Sequence, residues 1–278
     1  MADQLILFDE LRLVKQQEYA AKPNVCFLEK SKVLARAHGF MDDYDYTLNP
    51  YIGCQFGCAY CYAAFFINST EKRRDWGLWV DVKTNAMKEL NTRRSLYDKK
   101  IYMSSVTDPY QPIESKLELT RGILEILSAP SKMPRLVIQT RSPLVTRDID
   151  ILRRFKHLRV NMTITTDSDA IRKRFEPYCP SNDHRLEAIS TVKSAGIKIS
   201  ICITPMLPLK NPEAFARQLA SLQADIYVAQ PFKPSQGPFA ASTRSMAVAI
   251  AKEYGWTEKE YRKAFDILRE YLPHLYEG

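Results

Sequence analysis

Short apolar, β-rich runs alternate with amphipathic segments along most of the chain. Extended stretches are read at Tyr44–Gly53, Lys100–Val106, Arg135–Thr140, Arg159–Thr166, Ile197–Thr204 and Ala224–Gln230. Between them, apolar positions recur at helical spacing over Asp81–Tyr97 (Val82, Ala86, Leu90), Leu117–Leu127, Thr146–Phe155, Asp167–Phe175, Arg185–Ala195 and Asn211–Leu222. Gly196 is placed to cap one of these helices, and Asn211-Pro212 to start another. Strands alternating with helices predict a parallel sheet with right-handed crossovers, and six such units predict an α/β fold of the open (β/α)6 partial-barrel kind. A closed eight-fold barrel is the competing architecture, but nothing after Gln230 reads as a further strand. Residues 1–43 are expected to form an N-terminal cap, with a helical turn over Ser31–His38 ending at Gly39. Residues 44–231 are the expected barrel. Residues 232–278 form a C-terminal helical appendage, with a Pro/Gly loop at Phe232–Gly237 and helices over Thr243–Tyr254 and Glu258–Tyr271. One domain is the expectation for 278 residues.

Chemistry concentrates in the loop after the first strand. Cys54, Cys58 and Cys61 lie within eight residues, with three and then two residues between them. Thiolates this dense suit zinc or an iron–sulfur cluster. A closed zinc site needs four protein ligands, and neither a second CxxC pair nor a His-x3-5-His follows. Three ligands fit a four-iron cluster with one iron left open, while zinc and free thiols stay as alternatives. Gly53 and Gly57 suit a chain that must turn tightly around a cluster, since glycine reaches positive φ at little cost. Tyr51, Phe56, Tyr60 and Tyr62 could exclude water from it or could simply pack in the core. Of the other cysteines, Cys26 and Cys202 are read as packed residues and Cys179 as a loop thiol. The four histidines form no triad or metal spacing, and no Walker or Gly-x-Gly-x-x-Gly loop occurs.

The CxxxCxxC spacing, with Tyr60 just before the last cysteine, resembles the radical SAM superfamily. The flanks resemble its spore photoproduct lyase-like branch: Asp45 to Cys54 (DYTLNPYIGC), Cys61-Tyr62-Ala63, Thr107 to Glu114 (TDPYQPIE), Thr140 to Leu144 (TRSPL) and Glu176-Pro177, in order between Lys30 and Pro208. The resemblance implies a partial barrel and a [4Fe–4S] cluster on Cys54, Cys58 and Cys61. S-adenosylmethionine (SAM) would chelate the open iron, and an external one-electron reductant of the flavodoxin or ferredoxin type would drive the chemistry. It implies reductive cleavage of SAM to a 5′-deoxyadenosyl radical that takes hydrogen from a substrate. Where many members carry a Gly-Gly-Glu-like segment, this chain has Ser104-Ser105-Val106-Thr107-Asp108. Ser105, Thr107 and Asp108 are therefore expected on the SAM side, with Thr140 and Arg141 at its carboxylate or the substrate, Thr165 and Thr166 at the ribose, and Tyr60 beside the cluster. These residues fall at expected strand ends, where parallel barrels gather function, although each Thr or Asp there could equally cap a following helix. Authentic spore photoproduct lyases place a cysteine hydrogen donor near the position of Ser105, and no cysteine lies between Cys61 and Cys179. Thymine-dimer reversal itself is thus not expected, and no catalytic residue beyond the cofactor sites is assigned.

Composition changes this picture little. With 45% hydrophobic and 26% charged residues the chain is of ordinary globular type. No apolar run approaches a membrane span, and the opening MADQLILFDELRLVK does not read as a secretory signal. Three clustered cysteines argue for a reducing, cytoplasmic setting. The net charge of +8 permits attraction to nucleic acid, which is carried as a possible substrate, against the plainer view of a solvated basic surface. A non-catalytic metal- or cluster-containing nucleic-acid sensor is the competing function.

Overall fold

The computed structural model describes residues 24–93, 96–234 and 243–278. The opening segment read for a signal, and most of the expected cap, lie outside them. In chain order the strands are β1 (Asn24–Leu28), β2 (Leu34–Arg36), β3 (Tyr46–Leu48), β4 (Tyr51–Ile52), β5 (Trp79–Lys83), β6 (Lys100–Met103), β7 (Arg135–Thr140), β8 (Leu158–Thr163), β9 (Lys198–Ile203), β10 (Ile226–Ala229) and β11 (Leu275–Glu277). The main sheet runs β11-β10-β9-β8-β7-β6-β3-β2, parallel throughout except for β2 against β3. Its end strands do not pair with each other, so the barrel is open. The six expected barrel strands all appear, as β3 and β6 to β10.

Side chains alternate across each strand, and the two faces differ in kind. Ile101, Met103, Leu136, Ile138, Val160, Met162, Ile199, Ile201 and Ile203 form one face, packed with Leu124, Leu127, Ile189, Val192, Phe215 and Leu219 from the covering helices. The inner face is polar. Gln139, Asn161 and Ser200 lie in register across β7, β8 and β9, and Thr163 lies beside Cys202. Tyr102 donates to Gln139 at 2.8 Å, and Gln139 donates to Thr163 at 2.7 Å.

Three expectations are corrected. Asp81–Tyr97 does not form one helix: β5 occupies Trp79–Lys83 and a helix spans only Ala86–Thr92. The aromatic and β-branched run WVDVK is buried at all five positions and pairs with β1 and β4 in a second sheet, which outweighs the helical spacing of Val82. Ser31–His38 is not a helical turn, because Leu34–Arg36 pairs antiparallel with β3, and Glu89 accepts the Val33 and Leu34 amides. Finally, a strand does follow Gln230. After helices Ser245–Glu253 and Glu258–Tyr271, the short β11 adds to the sheet beside β10. Of the expected Pro/Gly loop, residues 235–237 lie outside the described residues.

Candidate active site

The cysteine loop sits beyond the C-terminal end of β3, held from several sides. Thr107 Oγ1 donates to the Gly53 carbonyl at 2.6 Å, and Gln111 Nε2 donates to Thr107 at 3.2 Å. Gln55 is gripped twice, with its amide donating to Gln111 at 2.8 Å and its side-chain oxygen accepting from the Ile113 amide at 2.6 Å. The Ala59 amide donates to the Phe175 carbonyl at 2.7 Å. Gly53 has φ +80°, and a Cβ there would lie 2.7 Å from the Trp79 ring; at Gly57 (φ +61°) it would meet Tyr178 at 2.9 Å. The loop therefore needs glycine at both places for backbone and packing reasons together.

Cys54 and Cys58 are buried and Cys61 half-buried, in an apolar cluster with Phe56, Tyr60, Trp76, Trp79 and Phe232. Among the described residues no three His, Cys, Asp or Glu side chains are gathered around a single metal-ion position. Three thiols from one short loop, walled by aromatic rings, fit the donor set and dry surroundings of an iron–sulfur cluster.

Beside the loop lies a buried charged group. Arg141 Nη1 donates to Cys58 Sγ at 3.1 Å, to the Tyr60 hydroxyl at 2.6 Å and to Glu176 Oε1 at 3.1 Å. Glu176 also accepts from Tyr60 at 2.5 Å, Thr165 at 2.8 Å and Arg185 Nη2 at 2.6 Å. Burial pushes the Glu176 carboxyl up, but Arg185 and Arg141 outweigh it and hold the group at about 2. With Cys58 as thiolate, two guanidiniums face two anions, and the buried charges balance. Cys179, 1% exposed, places its sulfur 3.7 Å from Cys58 Sγ. The Cys179 hydrogen bond, with Arg141 and against burial, draws the Cys58 thiol below its ordinary value. Burial pushes Cys54 well up, and with the Cys58 charge pushes Cys61 up to about 11.

The other sequence-derived site residues are spread through this framework. Buried Asp108 accepts from Thr140 Oγ1 at 2.7 Å and from the Tyr110 and Arg141 amides at 2.9 Å, so it braces the ends of β6 and β7. Burial raises its carboxyl above the ordinary range. Thr166 donates to the Pro208 carbonyl at 2.6 Å. Ser105 accepts the Tyr62 hydroxyl on its carbonyl and the Asn49 amide on its Oγ at 3.3 Å. Arg141, Tyr60 and Thr165 thus converge on Glu176, whereas Asp108, Thr140 and Thr166 tie strand ends and loops together. Two readings change. Cys179 is not a lone loop thiol but packs on Cys58, and Cys26, read as packed, is exposed; Cys202 is buried as read, 3.9 Å from Gln139. Glu176 appeared in the sequence only as part of a Glu-Pro pair and Arg185 only as a helix residue; the lone signal was the helix broken by Pro177.

The family described as the Radical SAM superfamily matches residues 48–219, and the chain belongs to that superfamily. An uncharacterized protein of Methanocaldococcus jannaschii is 41% identical over 163 residues, which cover 59% of this chain and 61% of that protein. The radical SAM Nalpha-GlyT isomerase of Pseudomonas phage M6 is 28% identical over 163 residues, 57% of this chain and 32% of that protein. The chain thus spans less than two thirds of the length of these relatives. A solved spore photoproduct lyase variant aligns with a TM-score of 0.61 at 16% identity, covering 91% of this chain and 81% of that one. The lyase complexed with dinucleoside spore photoproduct gives 0.57 at 17% identity, with the same coverage. At such identity the likeness is one of fold. Among the described residues, no helix is long and apolar enough to cross a membrane.

Proposed function

We propose that the chain is a radical SAM enzyme holding a [4Fe–4S] cluster on Cys54, Cys58 and Cys61. The observation that carries this reading is the anchored three-thiol loop, with Cys58 accepting from Arg141 of the buried Arg141–Glu176–Arg185 group. When bound, the cluster and SAM supply an electron and a cleavable sulfonium, which yield a 5′-deoxyadenosyl radical able to abstract hydrogen. The chain's own part is to orient and to exclude water. Phe56, Trp76, Trp79 and Phe232 keep the thiol loop dry. Asp108 and Thr140 fix the strand ends from which Arg141 reaches the loop. Half-buried Ser105 and Thr107 would contact SAM, and a flavodoxin- or ferredoxin-type donor would supply the electron.

For the substrate we propose nucleic acid. Support comes from the net charge of +8 and from the likeness of fold to a lyase solved with a dinucleoside. Anaerobic reconstitution with iron and sulfide, followed by dithionite and SAM, is expected to release 5′-deoxyadenosine, and Cys58→Ala to abolish it. Release undiminished in that variant overturns the enzyme reading. Release that no DNA or RNA oligomer stimulates, and no binding to either at low salt, overturns the substrate reading alone.

A further inference from the structure

We infer that Arg141 and Cys179 are positioning residues that act through Cys58 to raise the reduction potential of the cluster. The inference rests on the cluster assignment above and concerns one ligand sulfur. Cys58 Sγ accepts from the Arg141 guanidinium at 3.1 Å and lies 3.7 Å from Cys179 Sγ. A metal-bound thiolate can only accept, so the proton between the two sulfurs belongs to Cys179. Among the described residues, Cys58 is the ligand that receives a full positive charge and a side-chain donor together.

Both donors are held in place. The Arg141 amide is tied to Asp108 at 2.9 Å, and its guanidinium is shared with Tyr60 and Glu176, itself anchored by Arg185. The Cys179 carbonyl accepts from Arg172 Nη1 at 2.6 Å, and its amide donates to the Glu176 carbonyl at 3.2 Å. Reduction adds negative charge to the cluster and its sulfurs. Donors aimed at one of those sulfurs stabilise the reduced form more than the oxidised form, which moves the potential upward. A charged donor acts more strongly than a thiol. The Arg141 share should therefore be the larger and the Cys179 share the smaller.

The test is a redox titration of the anaerobically reconstituted 278-residue chain, followed by EPR, with iron and sulfide quantified in every sample. Cys179→Ala is expected to keep the parent's iron and sulfide and to titrate at a more negative potential. Cys179→Ser, which keeps a donor, should return toward the parent, and Arg141→Met should fall below Cys179→Ala. A Cys179→Ala protein with full cluster content and the parent's potential overturns the inference. Loss of iron in Cys179→Ala also overturns it, because Cys179 would then be a ligand or a scaffold residue. A parent that takes up no iron and sulfide at all sinks the cluster assignment itself, a result separable from the other two.

Discussion

Replacing Glu176 by glutamine should expose how much of the fold depends on one buried carboxylate. The amide keeps the shape and removes the charge that faces Arg185, whose side chain is fully buried, and Arg141, whose side chain is 17% exposed. Two estimates of the cost converge. The carboxyl sits at about 2 against 4.5 for an ordinary glutamate, and at about 1.4 kcal/mol per pH unit that gap corresponds to roughly 3 kcal/mol. Removing one partner of a buried ion pair generally costs ~3–5 kcal/mol. The sign follows from the lowered value: the contribution is complete above the unfolded-state value near 4.5 and fades as pH drops toward 2. Urea unfolding of cluster-free parent and Glu176→Gln, under reducing conditions from pH 7 to pH 3, reads both effects. The variant should be about 3 kcal/mol less stable at pH 7, and the gap should narrow below about pH 4.5. A gap under about 1 kcal/mol at pH 7, or one that does not change with pH, refutes the reasoning.

Other outcomes follow from the same structure. Cys54→Ser, Cys58→Ser and Cys61→Ser should each lose the iron and sulfide that the parent binds, measured after identical reconstitution. Gly53→Ala should be less stable by about 1–3 kcal/mol, because positive φ and a Cβ pressed on Trp79 act together; a thermal melt and cluster yield report it. Ile201→Ala, on the apolar face of β9, should cost ~2–5 kcal/mol in urea unfolding. Ser200→Ala, one residue away on the polar face, should be neutral or slightly stabilising, since its buried hydroxyl has no partner among the described residues. If the substrate is nucleic acid, affinity for an oligomer should fall steeply as salt rises from about 50 to 200 mM.

The strands of the barrel and the cysteine loop were legible because their signals are local. Six apolar runs of ordinary strand length sat between helical repeats, and Gly53 and Gly57 flagged a tight turn that both take with positive φ. What escaped depends on partners distant in the chain. β11 spans only Leu275–Glu277, too short to stand out, and it exists because β10 offers an edge. β5 was hidden because Val82, Ala86 and Leu90 also fit a helix, and its pairing with β1 and β4 decided the matter. Glu176 and Arg185 are charged residues of a kind usually found in solvent. Their burial comes from Arg141, 35 residues before Glu176, reaching across from β7. Cys179 lies 121 residues from Cys58, so no spacing rule could join them.

The anchoring of the thiol loop has a consequence for how long the protein can serve. Many small metalloproteins collapse when the ion is stripped out, because the ion is what joins their segments. Here all three sulfurs come from one stretch, and Gln55, Gly53 and Ala59 are already pinned by Gln111, Thr107 and Phe175. An oxidative accident that destroyed the proposed cluster would leave the receptacle standing, and repair would need a fresh supply of iron and sulfide rather than a new polypeptide.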